Sequence, residues 1–232
     1  MKIALINPNS TASMTEKALQ SAQRVAFPDT TIVASNPPDT PKSIEGHYDE
    51  AMSIPGLLAE VAIAHEKGCE GLVVACFDDP GLGACREIFS GPVVGICEAA
   101  MHAASFIATS FSVVTTLPRS IPIVESLAYQ YGMARFCRRV RAADLPVLAL
   151  EENTNGAREK VRDEIVRAVQ EDHSEAVILG CAGMADLTDW LSEQAGVPVI
   201  DGVVAATKMV EALVGAKLNT SKVGAYAAPR VK

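Results

Sequence analysis

The chain has 232 residues, of which 49% are hydrophobic and 21% are charged, which suits an ordinary globular protein with one α/β domain or two lobes. The net charge is −8, and the basic residues are scattered except for a short cluster between Arg135 and Arg141. Nucleic acid and anionic membrane surfaces are therefore not expected as partners.

The chain lacks the apolar segments that direct proteins into or across membranes. Its first apolar run, from Ile3 to Ile6, is too short for the core of a signal peptide. The stretch 202–218 is interrupted by Lys208, Glu211 and Lys217, so nothing approaches the roughly 18 apolar residues of a membrane span. We expect a cytoplasmic protein.

Short apolar runs alternate with helical patterns along the chain. The runs predicted as strands are residues 2–6, 30–35, 71–75, 92–96, 112–116, 136–141, 176–180 and 198–200. The segments predicted as helices are residues 10–26, 49–67, a segment ending at 89, and residues 98–107, 121–131, 157–171, 186–195 and 203–214. This alternation predicts an α/β fold with parallel sheets covered by helices on both faces.

Two local patterns refine this assignment. Ser13 is the expected N-cap of the first helix, with Glu16 three residues later completing a capping box. Glu151 and Glu152 are expected in a solvated loop.

The sequence also contains an internal duplication. Segment 71–82 aligns with 176–187 at an offset of 105, segment 92–100 aligns with 198–206 at 106, and segment 3–10 aligns with 113–120 at 110, which pairs Ser10 with Ser120. We predict two similar lobes, each a mostly parallel sheet flanked by helices, with an active-site cleft between them. Lobe 1 is expected to comprise residues 1–97 and 207–232, and lobe 2 residues 98–206.

The six cysteines form no CxxC pair and are not grouped with the four histidines, so neither a disulfide framework nor a zinc site is expected. The duplication pairs only one cysteine with another cysteine, namely Cys76 with Cys181. Both follow a predicted buried strand, and ligands of α/β proteins bind at the carboxyl ends of strands.

A predicted helix start just after each of these two thiols should lower its pKa toward neutral. Inverting a carbon centre without a cofactor needs a base on one face and an acid on the other, and two matched thiols meet that demand. The alternatives are two buried structural thiols, or a redox-active disulfide.

The stretches LINPNSTASMT, ACFDDPGL, PVVGICEAA, FSVVTTLPRSIPIVE and LGCAGM resemble the hydantoin racemase family, within the aspartate/glutamate racemase superfamily. The resemblance covers nearly the whole chain. It implies two α/β lobes, catalytic cysteines at Cys76 and Cys181, no cofactor, no metal and a homo-oligomer. It also implies small-molecule substrates, which are 5-substituted hydantoins in this family and allantoin in close relatives.

One departure from the superfamily bears on the substrate. In aspartate and glutamate racemases, Asn-Thr typically follows the first cysteine and Thr-His the second. Here Phe77-Asp78 and Ala182-Gly183 take those places, so we expect a neutral ring rather than an amino acid. Allantoin racemase remains the nearest alternative, followed by an amino-acid racemase and a non-enzymatic two-lobed binding protein.

The residues after each cysteine are candidates for binding the substrate. Removal of the C5 proton places negative charge on the adjacent carbonyl oxygen, which the backbone N–H groups of Phe77, Asp78, Ala182 and Gly183 could stabilise. The alternative is that these are ordinary amides at helix starts. Asp78 and Asp79 are expected either to raise the pKa of Cys76 or to cap the following helix.

A second candidate group lies where the first strand of each lobe ends. Asn9 and Ser10 in lobe 1, and Thr115 and Thr116 in lobe 2, could bind ring carbonyls or ring N–H groups. The alternative is that they cap helices or form turns.

Overall fold

The computed structural model describes residues 1–150 and 156–230, with the backbone alone at 185 and 186. The strands are β1 Lys2–Ile6, β2 Thr31–Ser35, β3 Gly71–Val74, β4 Val93–Gly95, β5 Phe111–Thr115, β6 Cys137–Ala142, β7 Ala176–Leu179 and β8 Val199–Ile200. The α-helices are α1 Ala12–Val25, α2 His47–Glu66, α3 Leu82–Ile88, α4 Ile96–Ile107, α5 Ile121–Gln130, α6 Ala157–Asp172, α7 Thr188–Ala195 and α8 Gly202–Gly215. The predicted loop at Glu151 and Glu152 lies outside the described residues.

The strands form two parallel sheets of four with the same strand order. The first sheet is ordered β2-β1-β3-β4 and the second β6-β5-β7-β8. All residues of β3, β5 and β7 are buried, because helices cover both faces, as parallel sheets require. The predicted α/β fold of two similar lobes is confirmed.

Two helices pack on the sheet of the opposite half of the chain. Helix α4 follows β4 but packs on β7 and β8, whereas α8 follows β8 but packs on β3 and β4. The two helices also pack on each other. The lobe boundaries at 97/98 and 206/207 stay a prediction. The exchange of α4 and α8 between the two sheets is compatible with them.

A continuous apolar core joins the two sheets. It contains buried side chains from β1 and β3 of the first sheet, from β5 and β7 of the second, and from α4 and α8 between them. Two further clusters lie on the outer faces of the sheets, one under α2 and α3 and the other under α6 and α7. The shared core therefore holds the strand ends of the two sheets next to each other.

The first turns of α4 and α8 approach closely within this core. A Cβ atom at Gly202 would lie 2.5 Å from the backbone oxygen of Ile96. Asp201 caps α8 by accepting a 2.7 Å hydrogen bond from the N–H of Val203. The lack of a side chain at Gly202 is thus a requirement of the contact between the two helices.

Three local predictions differ from the structure. The predicted capping box is wrong, because α1 begins at Ala12 after Thr11 and places Ser13 inside the helix. Thr11 is the N-cap residue and its side chain makes no capping hydrogen bond, whereas Asn9 forms a turn before the helix by accepting the Thr11 N–H at 2.9 Å. The helix predicted at 186–195 begins earlier, as a 3₁₀ helix Ala182–Leu187 that continues into α7. A second 3₁₀ helix, Val147–Leu150, was not predicted.

No helix within residues 1–150 and 156–230 is long and apolar enough to cross a membrane.

The close contact at Gly202 leads to a stability prediction. We expect Gly202→Ala to lower the free energy of unfolding by about 1–3 kcal/mol, because the added methyl group must displace backbone. The control is Gly83→Ala in α3, where a Cβ meets nothing within 4 Å and a gain of about 0.4–1 kcal/mol is expected. Urea unfolding of both variants measures the difference, and equal stability of the two would contradict the packing described.

Candidate active site

Corresponding strands of the two sheets end at one place in the molecule. Cys76 lies two residues after β3, and Cys181 lies two residues after β7. Both strands occupy the third position of their four-stranded sheets. Thr115 and Thr116 lie at the end of β5 beside β7. The carboxyl ends of parallel strands are where α/β proteins bind ligands.

The two thiols line one small cavity of about 40 Å³. Each half of the chain contributes to its wall, and the lining residues are Ile44, Ala75, Cys76, Phe77, Asp78, Thr115, Thr116, Ser120, Val147, Gly180, Cys181 and Ala182. A volume of this size has room for about one water molecule.

Two segments from different halves of the chain contribute to the cavity wall and contact each other. Ile44 precedes α2 in the first half of the chain, and Val147 begins the 3₁₀ helix in the second. The Val147 N–H donates a 3.1 Å hydrogen bond to Oε1 of Glu45, which ties the segments together. Pockets for small molecules typically enclose about 300–1,000 Å³. The cavity is therefore smaller in this conformation than a pocket that holds a small molecule, so its wall must move to admit a substrate.

The chain turns in the same way after each thiol. The N–H of Asp79 donates to the carbonyl of Cys76, and the N–H of Met184 donates to the carbonyl of Cys181, both at 3.1 Å. The turns then diverge, because Cys181 leads directly into a 3₁₀ helix whereas α3 begins only at Leu82, six residues after Cys76. The prediction of a helix start just after Cys76 is therefore wrong.

The environment of Cys76 disfavours the thiolate. Burial raises the pKa of this thiol well above its ordinary value, and the nearby carboxylates of Asp78 and Asp79 and the thiol of Cys181 raise it further. The backbone N–H of Asp78 opposes this by donating to the sulfur. The predicted lowering of the thiol pKa is thus wrong for Cys76, since no helix start offsets the loss of water. As predicted, the carboxylates of Asp78 and Asp79 raise the pKa of Cys76.

Asp79 connects the Cys76 turn to the second half of the chain. Its carboxylate accepts the backbone N–H groups of Cys97 at 3.2 Å and Glu98 at 2.9 Å, and the hydroxyl of Tyr131 at 2.8 Å. Burial raises the pKa of Asp79 to about 7 although these donors lower it. Asp79 therefore caps α4 rather than the following helix α3, and Gly95 leaves room for its carboxylate.

Asp78 differs from Asp79 in its hydrogen bonding. Its side chain is buried in the cavity wall, and among the described residues no partner lies within hydrogen-bond distance of its Oδ2. Burial and the charge of Glu50 together raise the pKa of Asp78 to about 7, although His47 lowers it.

Most of the other predicted binding residues line the cavity. Phe77, Thr115, Thr116 and Ala182 form part of its wall, and the hydroxyl of Thr115 also donates to the carbonyl of Gly180 at 3.3 Å. Gly183 does not line the cavity, although a Cβ there would lie 3.6 Å from the Cys181 sulfur. The predicted role of Gly183 therefore depends on its backbone alone.

Asn9 and Ser10 lie outside the cavity wall. Asn9 accepts hydrogen bonds from the side chain of Asn7 and the backbone of Thr11, and the Ser10 hydroxyl donates to the carbonyl of Thr40 at 2.8 Å. Their assignment to substrate binding stays a prediction that these contacts do not support, since both side chains hold the loop after β1.

Five residues of the cavity wall were not predicted from the sequence: Ile44, Ala75, Ser120, Val147 and Gly180. The duplication contained a signal for Ser120, because it pairs Ser120 with the candidate Ser10. Ile44 and Val147 lie in connecting segments without periodicity, where no sequence pattern marks them.

No disulfide joins the six cysteines, all of which lie within the described residues. Across residues 1–150 and 156–230 no group of three or more His, Cys, Asp or Glu side chains is arranged to hold a metal ion.

Residues 3–210 match the model of the family described as Asp/Glu/Hydantoin racemase. The chain belongs to this family. It is an isomerase with racemase activity, as its full-length relatives indicate.

Individual relatives support the same conclusion. The chain is 59% identical to a hydantoin racemase from Rhizobium meliloti over 232 residues, which cover all of this chain and 96% of that protein. Allantoin racemase from Klebsiella pneumoniae superposes with a TM-score of 0.98 at 50% identity, over 100% of this chain and 95% of that one. Allantoin racemase from Pseudomonas fluorescens superposes with a TM-score of 0.96 at 38% identity, over 100% of this chain and 98% of that one.

The burial of Cys76 leads to a prediction about its reactivity. We expect its alkylation by iodoacetamide, followed by peptide mass spectrometry, to be slow at pH 7 and to require a higher pH than in the unfolded chain, because the raised pKa makes thiolate scarce. In the urea-unfolded chain the same thiol should titrate near about pH 8.5. Rapid labelling of the folded protein at pH 7 would show that the thiolate is already formed.

Proposed function

We propose that the chain racemises 5-monosubstituted hydantoins, without a cofactor, by moving a proton between the substrate and the thiols of Cys76 and Cys181. The observation that carries this proposal is that the two thiols line one cavity from corresponding strand ends of two similar sheets. The bound substrate would lie between the two thiols, with one sulfur at each face of its C5 carbon.

The proton balance of the proposed reaction is complete without any other reactant. One cysteine, as thiolate, takes the C5 proton, so that the C–H bond breaks and an S–H bond forms. The electron pair of the C–H bond moves onto the adjacent carbonyl oxygen and gives an enolate. The other cysteine, as thiol, then protonates C5 from the opposite face. After the reaction the first cysteine is a thiol and the second is a thiolate, which is the state that catalyses the reverse direction.

Two features of the site support this chemistry. The Asp78 N–H donates to the Cys76 sulfur and partly offsets the burial that raises the pKa of this thiol. Ala182 and Gly183 begin a 3₁₀ helix, and the first amides of a helix have no partner within it. Their N–H groups are suited to binding the enolate oxygen, as is usual for a site that stabilises developing negative charge.

Single substitution of each thiol tests the mechanism. We expect Cys76→Ser and Cys181→Ser each to lower kcat for racemisation of 5-benzylhydantoin by at least about 10²–10⁴-fold, because each removes one of the two acid–base groups. Each variant should still exchange the C5 hydrogen of one enantiomer with solvent deuterium. Circular dichroism decay and proton NMR measure the two rates.

The matched control is Cys137→Ser on β6, a half-buried thiol outside the cavity wall, which should retain wild-type kcat. Racemisation at near wild-type rate by either Cys76→Ser or Cys181→Ser would refute the two-thiol mechanism.

Allantoin racemisation is the second candidate, since two solved allantoin racemases superpose on the whole chain. The side chains of Ile44, Phe77 and Val147 give the cavity an apolar part, where the ureido group of allantoin would lose hydrogen bonds to water.

We therefore expect kcat/KM for 5-benzylhydantoin to exceed that for allantoin. An unpartnered polar group on a ligand costs about 1–3 kcal/mol, which corresponds to about 10–100-fold. Circular dichroism decay of both enantiopure compounds under one set of conditions measures the ratio. A larger kcat/KM for allantoin would reassign the substrate and leave the two-thiol mechanism in place.

A further inference from the structure

The carboxyl group of Asp78 is a buried polar group whose Oδ2 has no hydrogen-bond partner among the described residues. Its side chain lines the same cavity as the two thiols, and the residue is 8% exposed. Buried polar atoms in folded proteins are almost always hydrogen-bonded. An exception inside a ligand cavity points to a partner that arrives with the ligand.

The surroundings of Asp78 favour its neutral form once a substrate is bound. Five titratable groups surround Asp78. They are Glu50 and His47 from α2, Cys76 and Asp79 from the loop that carries Asp78, and Cys181 from the wall of the same cavity. Four of these five groups are acidic and repel a negative carboxylate when they ionise. A substrate would displace the remaining water and disfavour the charged form further.

We propose that Asp78, as a neutral carboxylic acid, donates a hydrogen bond from its O–H to the ring carbonyl oxygen that becomes negative when the C5 proton leaves. This inference rests on the proposed hydantoin chemistry. The proton stays on Asp78 throughout, while the C5 proton passes to one thiol and the other thiol supplies its replacement. Asp78 would thus be a catalytic residue through its side chain, for which the sequence alone predicted only an effect on the pKa of Cys76 or a helix cap.

The alternative is that Asp78 stays ionised and accepts a ring N–H. An anion at this position would add to the repulsion felt by the Cys76 thiolate and by the enolate, both of which form beside it. A neutral donor stabilises the same enolate. The donor role is therefore the one that agrees with the direction in which charge develops.

Two isosteric variants separate the roles. We expect Asp78→Leu, which has no donor, to lower kcat for 5-benzylhydantoin by about 10²-fold, as the loss of one oxyanion donor does elsewhere. Asp78→Asn keeps an N–H donor and should stay within about tenfold of wild type. KM should change little in either variant, because the hydrogen bond strengthens in the transition state.

The pH profile adds a readout that a structural role would not move. Above about pH 7 the ratio of wild-type to Asp78→Asn kcat/KM should fall about tenfold per pH unit, because only wild type loses its donor by ionisation. Asp78→Asn also removes a charge that raises the pKa of Cys76, so the pH dependence of Cys76 alkylation in both proteins is needed to correct the ratio for thiol ionisation. In a Glu50→Gln background the fall should begin at lower pH, since the charge that raises the pKa of Asp78 has been removed.

Binding of 5,5-dimethylhydantoin, which has no C5 proton, tests the protonation state without turnover. Calorimetry at pH 8 in buffers of different ionisation enthalpy should show uptake of nearly one proton by wild type and none by Asp78→Asn. Binding without proton uptake by wild type, or wild-type kcat in Asp78→Leu, would overturn the inference. A wild-type enzyme that racemises no hydantoin would overturn the proposed function as well, whereas a failure confined to Asp78 would leave it intact.

Discussion

Placement of two thiols in the wall of one small cavity is the constraint on which the rest of the structure depends. Cys76 and Cys181 come from different halves of the chain, so their separation is set by how the two sheets pack. The shared core fixes that packing through α4 and α8, each of which lies on the sheet of the opposite half. The close contact at Gly202 and the hydrogen bond between Tyr131 and Asp79 also join the two halves of the chain. The geometry of the site is therefore a property of the whole fold.

Exclusion of water has opposing effects on the chemistry. It strengthens every electrostatic interaction in the cavity, but it raises the pKa of Cys76 and so reduces the thiolate available in the resting enzyme. The site carries several acidic groups and no basic side chain in its wall, within the part of the chain that is described. Neutralisation of Asp78 when the substrate binds would remove one negative charge from the site before another forms on the substrate.

The periodicity of the sequence determined most of the fold. All eight predicted strands occur within one or two residues of their predicted bounds, because doubly buried parallel strands leave short apolar runs that are easily recognised. The duplication also identified the pair of thiols that the cavity brings together. Local effects were less predictable, since α1 begins after Thr11 and places Ser13, the predicted N-cap, inside the helix.

Features that depend on tertiary structure could not be read from the sequence. Burial rather than a helix start governs the pKa of Cys76, and Asp79 caps a helix that is distant in the chain. The closing contact between Glu45 and Val147 joins two irregular segments about 100 residues apart, for which no local pattern exists.

The most direct test of the central claim is a crystal structure of the enzyme with 5,5-dimethylhydantoin bound. We predict that the sulfurs of Cys76 and Cys181 both lie within van der Waals distance of the ligand's C5, about 4 Å, on opposite faces of the ring. A ligand that contacts only one of the two sulfurs, or that binds outside the cavity between the sheets, would contradict it.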